Sequence, residues 1–267
     1  MASSVLHQLR ELGQSIWLDN LTRGMVKDGS LAGLVKQGLS GVTSNPAIFH
    51  KAITGGKEYD AEIRERAERG ESATTIYEAL AIRDIQDACD VLAGVYKETR
   101  GSDGFVSLEV SPHLARDTAG TVEEARRLWK TVNRPNVLIK IPGTLEGVPA
   151  IRDCLADGIN VNVTLLFSLD AHQAVMDAHL DALEKRLDAG QDIHRVVSVA
   201  SFFLSRIDTM IDPLLDAQGT AEAKSLRGQA AVASAKLAYQ NWKTTFSGPR
   251  WDRLVEAYKA ALEQVTE

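Results

Sequence analysis

A chain of 267 residues with 44% hydrophobic and 25% charged side chains is long enough to bury one core of α/β-barrel size. Its 30 basic against 36 acidic side chains give a net charge of -6 with no basic run, which argues against nucleic acid or an anionic membrane surface as partner. No apolar run reaches transmembrane length, and the segment Met1-Ala2-Ser3-Ser4-Val5-Leu6-His7 lacks the charged and apolar regions of a signal peptide. Two cysteines, Cys89 and Cys154, lie far apart in helical patterns. The expectation is a cytoplasmic protein with buried thiols, a disulfide being the lesser alternative.

In chain order, residues 3–13 read as a short helix ending at Gly13, followed by a first strand over 15–19. A helix over 30–37 stops at Gly38. Residues 41–46 form the second strand and its exit, where Asn45 is held extended by Pro46. Helical segments near 57–69 and 72–99 follow, the second with Ile76, Leu80, Ile82, Ile85, Ala88 and Leu92 at helical spacing. Gly55-Gly56, ahead of both, reads as loop. The third strand covers 105–110. A helix over 121–132 opens on Thr121 as N-cap with Glu124 completing a capping box.

The fourth strand, Val137-Leu138-Ile139-Lys140-Ile141-Pro142-Gly143-Thr144, is apolar on both faces and closed by Pro-Gly, as in a parallel sheet covered by helices. Helix 146–157, strand 159–167, helix 170–188 and strand 196–203 come next. Beyond these the pattern is helical only, over 204–217, 220–246 and 250–265. The last helix carries Trp251, Leu254, Val255, Tyr258, Leu262 and Val265 on one face. There are no repeats and no low-complexity segment.

Strand alternating with helix six times implies right-handed βαβ units and a parallel sheet. Asp19, Asn45, Glu109, Lys140, Thr164 and Ser201 each fall in or at the end of a different strand. In the fifth strand Asn160, Asn162 and Thr164 share a face opposite Ile159, Val161, Val163 and Leu165. An open sheet would bury those polar faces against apolar helices. A TIM-type (β/α) barrel, with its active site at the mouth, accommodates all of them.

Burial of Lys140 disfavours its ammonium form, and the neutral amine can attack a carbonyl. The alternative is a lysine that snorkels from a strand end or pairs with a carboxylate. Lys140, Glu109 and Asp19 supply the amine, the proton-shuttling carboxyl and the base that Schiff-base chemistry needs. Singly, Asp19 reads as a cap, Glu109 as an ion-pair partner and Thr164 as a β-former. No zinc spacing, Walker loop, dinucleotide fingerprint or nucleophile elbow occurs. His172 and His179 read as surface residues, and Trp129, Trp242 and Trp251 as packing.

Thr43-Ser44-Asn45-Pro46, Ile139-Lys140-Ile141-Pro142-Gly143-Thr144, the run from Gly158 to Phe167, and Ala200-Ser201-Phe202-Phe203-Leu204-Ser205-Arg206 together resemble the transaldolase family, from about residue 10 to 250. The resemblance implies cofactor-free and metal-free transfer of a dihydroxyacetone unit between sugar phosphates in the non-oxidative pentose phosphate pathway. Lys140 would form the Schiff base with fructose 6-phosphate or sedoheptulose 7-phosphate. Glu109 would shuttle protons through a water held with Thr164, and Asp19 would take the proton from the C4 hydroxyl. Asn45, Asn162 and Ser201 would hold hydroxyls, Arg206 the phosphate, and Phe203 would shield the site. A fructose 6-phosphate aldolase and a non-catalytic sugar-phosphate-binding or assembly homologue are the competing functions.

The family barrel has eight strands, and about six are readable here. The expectation is one (β/α) barrel domain over residues 1–267 that is incomplete. Three readings follow: truncation at the C-terminus, completion by self-association or a partner, or closure in a way the sequence does not display.

Overall fold

The computed structural model describes residues 4–266, with side chains described to residue 260. Six parallel strands are hydrogen-bonded in chain order within one sheet, with helices between them. This is the expected α/β arrangement, a TIM-type fold with six strands. Leu262 and Val265, expected on one face of the last helix with Trp251 and Leu254, lie outside the residues whose side chains are described. Among the described residues no helix is long and apolar enough to cross a membrane.

The chain divides into two compact units. The first comprises the described residues to Val110 together with Glu124–Lys140. It opens with α1 (Val5–Glu11), β1 (Trp17–Leu18), α2 (Arg23–Lys27), α3 (Ser30–Lys36) and β2 (Gly41–Val42). These strands are shorter than the periodicity predicts, yet the ladder extends beyond them, from Ser40 N to Ile16 O and from Thr43 N to Leu18 O.

The stretch after Asn45, to which the sequence reading gives no element, is α4 (Pro46–Gly55), and it takes in Gly55 of the expected Gly55-Gly56 loop. Asn45 is extended, its Oδ1 accepts from Ile48 N at 2.9 Å, and Pro46 occupies the first helical turn. That combination starts a helix, because an Asn cap satisfies one orphan N–H and proline has none to lose. Next come α5 (Asp60–Glu68), α6 (Ala73–Glu98) and β3 (Val106–Glu109). The apolar stripe of α6 buries Ile76, Leu80, Ile82, Ile85, Ala88 and Leu92 as the spacing predicts.

Helix α7 (Thr118–Val132) and β4 (Val137–Pro142) follow. Thr121 is not the N-cap. It sits inside α7 and donates to Leu114 O, while Asp117 Oδ1 accepts from Gly120 N at 3.0 Å. The earlier aspartate wins because its carboxylate caps a turn that threonine would leave open. Just before β4, the buried amide of Asn136 donates to both Cys89 O and Gly104 O at 2.9 Å, tying the strand's entrance to α6 and to β3's entrance.

The second unit comprises Ser111–Glu123 and the chain from Ile141 onward. It contains α8 (Gly147–Ala156), β5 (Val161–Leu166), α9 (Leu169–Asp188) and β6 (Ser198–Phe202). Both cysteines are buried free thiols, as expected. The helix expected over 220–246, after α10 (Ser205–Gln218), is two helices, α11 (Ala221–Ser225) and α12 (Ala230–Thr245). Between them Gly228 has φ 68. Asp212 and Asp208 of α10 accept from Gly228 N and Ala231 N, so tertiary capping competes with helix continuation. The last helix is α13 (Pro249–Thr266).

His172 and His179 are not surface residues. His172 is buried on α9 with Val175, Met176 and Leu183, His179 is half-buried seven residues further along the same face, and the Nδ1 of each is buried without a hydrogen-bond partner. Burial pushes the His179 imidazole down to about 4 and lowers that of His172. Trp242, expected to pack, is 45% exposed and stacks on Tyr239 at 5.7 Å.

Candidate active site

Every residue of β4 is buried, including Lys140 at 5% exposure. Parallel register sets Glu109 of β3 directly beside Lys140, so both side chains project from the same face of the sheet. Lys140 Nζ stands 3.5 Å from Glu109 Oε2 and donates to Ser44 O at 3.0 Å. Ser44 is itself fixed, because its hydroxyl donates to Ser107 O at 2.7 Å. Here the ion-pair alternative for Lys140 and the catalytic one describe the same geometry: an amine beside a carboxyl in a water-poor place.

Burial raises the Glu109 carboxyl above its ordinary 4.5, with the charge and hydrogen bond of Lys140 opposing. A carboxyl of raised proton affinity can hold or release a proton nearer neutrality than an ordinary one. The Tyr77 phenol is pushed up to about 12, by burial first and then by the charge of Glu109. Sequence reasoning missed Tyr77 and the role of Ser44's carbonyl. Tyr77 occupies an ordinary helical position, edge-on to Phe49 with ring centroids 6.4 Å apart, and nothing local distinguishes it.

Asp19 stands exposed immediately after β1. Asn45 is half-buried, and its Oδ1 is committed to capping α4. Its amide Nδ2 is therefore the group free to meet a substrate hydroxyl. Among the contacts described, those of Lys140 join it to Glu109 and Ser44.

In the second unit, Asn162 and Thr164 of β5 are buried. Ser201 Oγ donates to Asn162 Oδ1 at 2.9 Å. Asn160, on the same sequence face, accepts from Val197 N at 2.9 Å and anchors the entry to β6. Phe203 is half-buried and Arg206 exposed, its guanidinium carbon 4.8 Å above the Phe203 ring. Phe167 stacks on Phe203 with centroids 5.1 Å apart, a contact absent from the sequence reading.

The family model described as Transaldolase/Fructose-6-phosphate aldolase matches residues 16–264. The chain is 51% identical over 252 residues to a transaldolase from Thiobacillus denitrificans, covering 94% of this chain and 70% of the relative. It is 52% identical over 251 residues to one from an Arthrobacter species, covering 94% and 68%. With one from Trichodesmium erythraeum the identity is 46% over 273 residues, covering 99% and 71%.

Proposed function

Since this chain belongs to the transaldolase/fructose-6-phosphate aldolase family and has transaldolase function, we propose that Lys140 is the amine that binds the donor ketose phosphate as a Schiff base. The observation that carries this reading is the buried Lys140 Nζ held 3.5 Å from Glu109. A lysine must be neutral to attack, and Glu109 is placed to accept its proton. Nζ then adds to the ketone carbon, giving a carbinolamine. Glu109 returns the proton to the carbinol oxygen, which leaves as water. Asp19 removes the C4 hydroxyl proton as the C3–C4 bond breaks, releasing the aldose phosphate and leaving a dihydroxyacetone enamine on Lys140. An aldose phosphate acceptor reverses these steps.

Thr164 serves as a water-holding hydroxyl. Asn45, Asn162 and Ser201 take substrate hydroxyls, and Phe203 shields the site. Arg206 takes the phosphate, for which a guanidinium offers two parallel donors. Fructose 6-phosphate and sedoheptulose 7-phosphate are the donors in this reading, within the non-oxidative pentose phosphate pathway. Two buried free thiols suit a reducing, cytoplasmic compartment. Self-association would pair the backbone of β6, which ends the hydrogen-bonded strand order.

Borohydride trapping tests the assignment. Incubation with fructose 6-phosphate and reduction are expected to leave one dihydroxyacetone-derived adduct, mapped by peptide mass spectrometry to Lys140. An adduct on another lysine, or none on folded protein, overturns it.

The pH profile gives a second expectation. Because the Glu109 carboxyl is raised above 4.5, falling pH protonates it early, and it can then no longer accept the Lys140 proton. The acid limb of kcat/KM, which reports the free enzyme, therefore lies above pH 4.5. Glu109→Gln flattens that limb and lowers kcat by about 10²-fold, the usual share of a positioned acid–base group. An unchanged limb in the variant would remove Glu109 from the proton path.

A further inference from the structure

β5 does not end as its alternation predicts. Asn162 and Thr164 share one face and Val161 and Val163 the other, so strict alternation would send Phe167 to the side of Val163. The strand register shifts instead: Val163 pairs with Ala200 and Leu166 with Phe202. Thr164 and Leu165 together therefore stand against Ser201, two residues against one, which is a β-bulge. Leu165 has φ 61, a left-handed conformation uncommon for a leucine.

The bulge has three consequences. Leu165 is pushed outward and is 41% exposed. Leu166 turns inward and is fully buried near Val163. A Cβ at Gly143 would meet Leu166 Cδ2 at 2.5 Å and Val163 Cγ1 at 3.2 Å. Phe167 is thereby reversed onto the face of Asn162 and Thr164. β6 provides an independent check. Its Phe202 packs against His172 of α9, with ring centroids 5.5 Å apart, whereas Ser201 bonds Asn162 on the opposite face. Alternation puts Phe203 on the Ser201 side, and Phe167 stacks on that ring at an interplanar angle of 23°. The same ring carries the Arg206 guanidinium at 4.8 Å. Phe167 is itself 41% exposed, so core packing does not account for its placement.

We propose that Phe167 is a positioning residue: the bulge at Thr164–Leu165 turns it under Phe203, and the two stacked rings form a platform that fixes the Arg206 guanidinium for the substrate phosphate. This rests on the reading of Arg206 as the phosphate ligand. An exposed arginine loses much rotamer freedom on binding an anion. A platform that restricts it beforehand removes part of that loss, and a stacked ring holds a guanidinium better than an isolated, mobile one. Such an effect acts on phosphate affinity and not on bond making.

The test compares Phe167→Leu, Phe167→Tyr and Arg206→Ala in the transfer assay with erythrose 4-phosphate as acceptor. Three readouts are used: KM and kcat for fructose 6-phosphate, inhibition by inorganic phosphate, and the rate with phosphate-free fructose as donor. Phe167→Leu is expected to raise KM about 5–10-fold and to weaken phosphate inhibition by a similar factor, as the loss of a ring contact and its cation–π support would. kcat and the fructose rate, both read at saturating erythrose 4-phosphate, stay within about twofold, since neither then depends on the phosphate ligand's affinity. Phe167→Tyr restores the native values. Adding Phe167→Leu to Arg206→Ala changes nothing further.

If Arg206→Ala raises KM and Phe167→Leu does not, the platform is wrong and the phosphate role of Arg206 stands. If Arg206→Ala alters neither KM nor phosphate inhibition, the phosphate reading fails and the platform with it. Equal losses on both donors in Phe167→Leu would mark a merely structural residue and overturn the proposal. Circular dichroism controls folding. Should Phe167→Leu unfold, Phe167→Met is measured in the same way, and unfolding of both identifies Phe167 as core and overturns the proposal as well.

Discussion

Lys140→Met is expected to lower kcat/KM by at least about 10⁴-fold, the scale seen when a covalent nucleophile is deleted. Methionine is nearly as long as lysine and brings no charge into β4, where all six residues are buried. The strand therefore keeps its packing, and circular dichroism should show a folded protein. What disappears is the only nitrogen placed beside Glu109 in the described contacts. The hydrogen bond to Ser44 O, 3.0 Å long, disappears with it, and Glu109 loses the one cation that opposes its burial. Its carboxyl then rises further, and that shift toward the uncharged form limits the destabilisation. Lys140→Arg keeps a cation but offers no nucleophile at neutral pH, so it is expected to be equally inactive. Turnover within tenfold of the native enzyme in Lys140→Met, or a borohydride adduct formed without Lys140, would end the Schiff-base assignment. Both variants read chemistry and not folding, because neither cuts a cavity.

The largest stability effect is expected far along the chain from that strand. Asp84 of α6 is 1% exposed and accepts from Arg23 Nε and from the Tyr59 hydroxyl, each at 2.7 Å. Arg23 of α2 also binds Glu62 Oε2 at 2.8 Å and lies 4.5 Å over the Tyr59 ring. Tyr59 accepts in turn from Arg23 N at 3.0 Å. Burial raises the Asp84 carboxyl while the two donors hold it down, and burial also raises the Tyr59 phenol. Asp84→Ala leaves a buried guanidinium with half its partners and a phenol without its acceptor. Breaking a buried pair from one side costs about 3–5 kcal/mol, a large share of the ~5–15 kcal/mol that holds a domain folded. Urea unfolding should show the midpoint fall with m unchanged. The double variant Arg23→Met with Asp84→Leu removes both charges and is expected to lose less than Asp84→Ala alone. A loss below about 1 kcal/mol in Asp84→Ala, or a double variant that loses more than Asp84→Ala, would show that the cluster does not act as a buried pair.

Legibility differs sharply between these two places. Lys140 could be picked out because a charged residue inside a run apolar on both faces violates a local rule. Asn162 and Thr164 were visible through alternation, since period two assigns faces without knowledge of neighbours. The helix at Pro46–Gly55 was written in Asn45-Pro46, whose capping signal went unused. Likewise His172 and His179, seven apart, share α9's apolar face with Val175 and Met176, so helical spacing already spoke against a surface position. The break between α11 and α12 had a weaker local sign in Gly228. It is decided by Asp208 and Asp212, which reach back from another helix.

By itself, the amino-acid sequence determined the alternation of strand and helix, the parallel α/β class, the strand that carries Lys140 and the polar face of β5. All of these follow from periodicity and from residues adjacent in the chain. Only tertiary structure decided that Glu109 pairs with Lys140, that Arg23, Tyr59 and Asp84 meet, and that a bulge at Leu165 turns Phe167 onto Phe203. Strand register and helix docking set those contacts. Both are fixed by the burial of surfaces distant in sequence, which no local pattern of residues records.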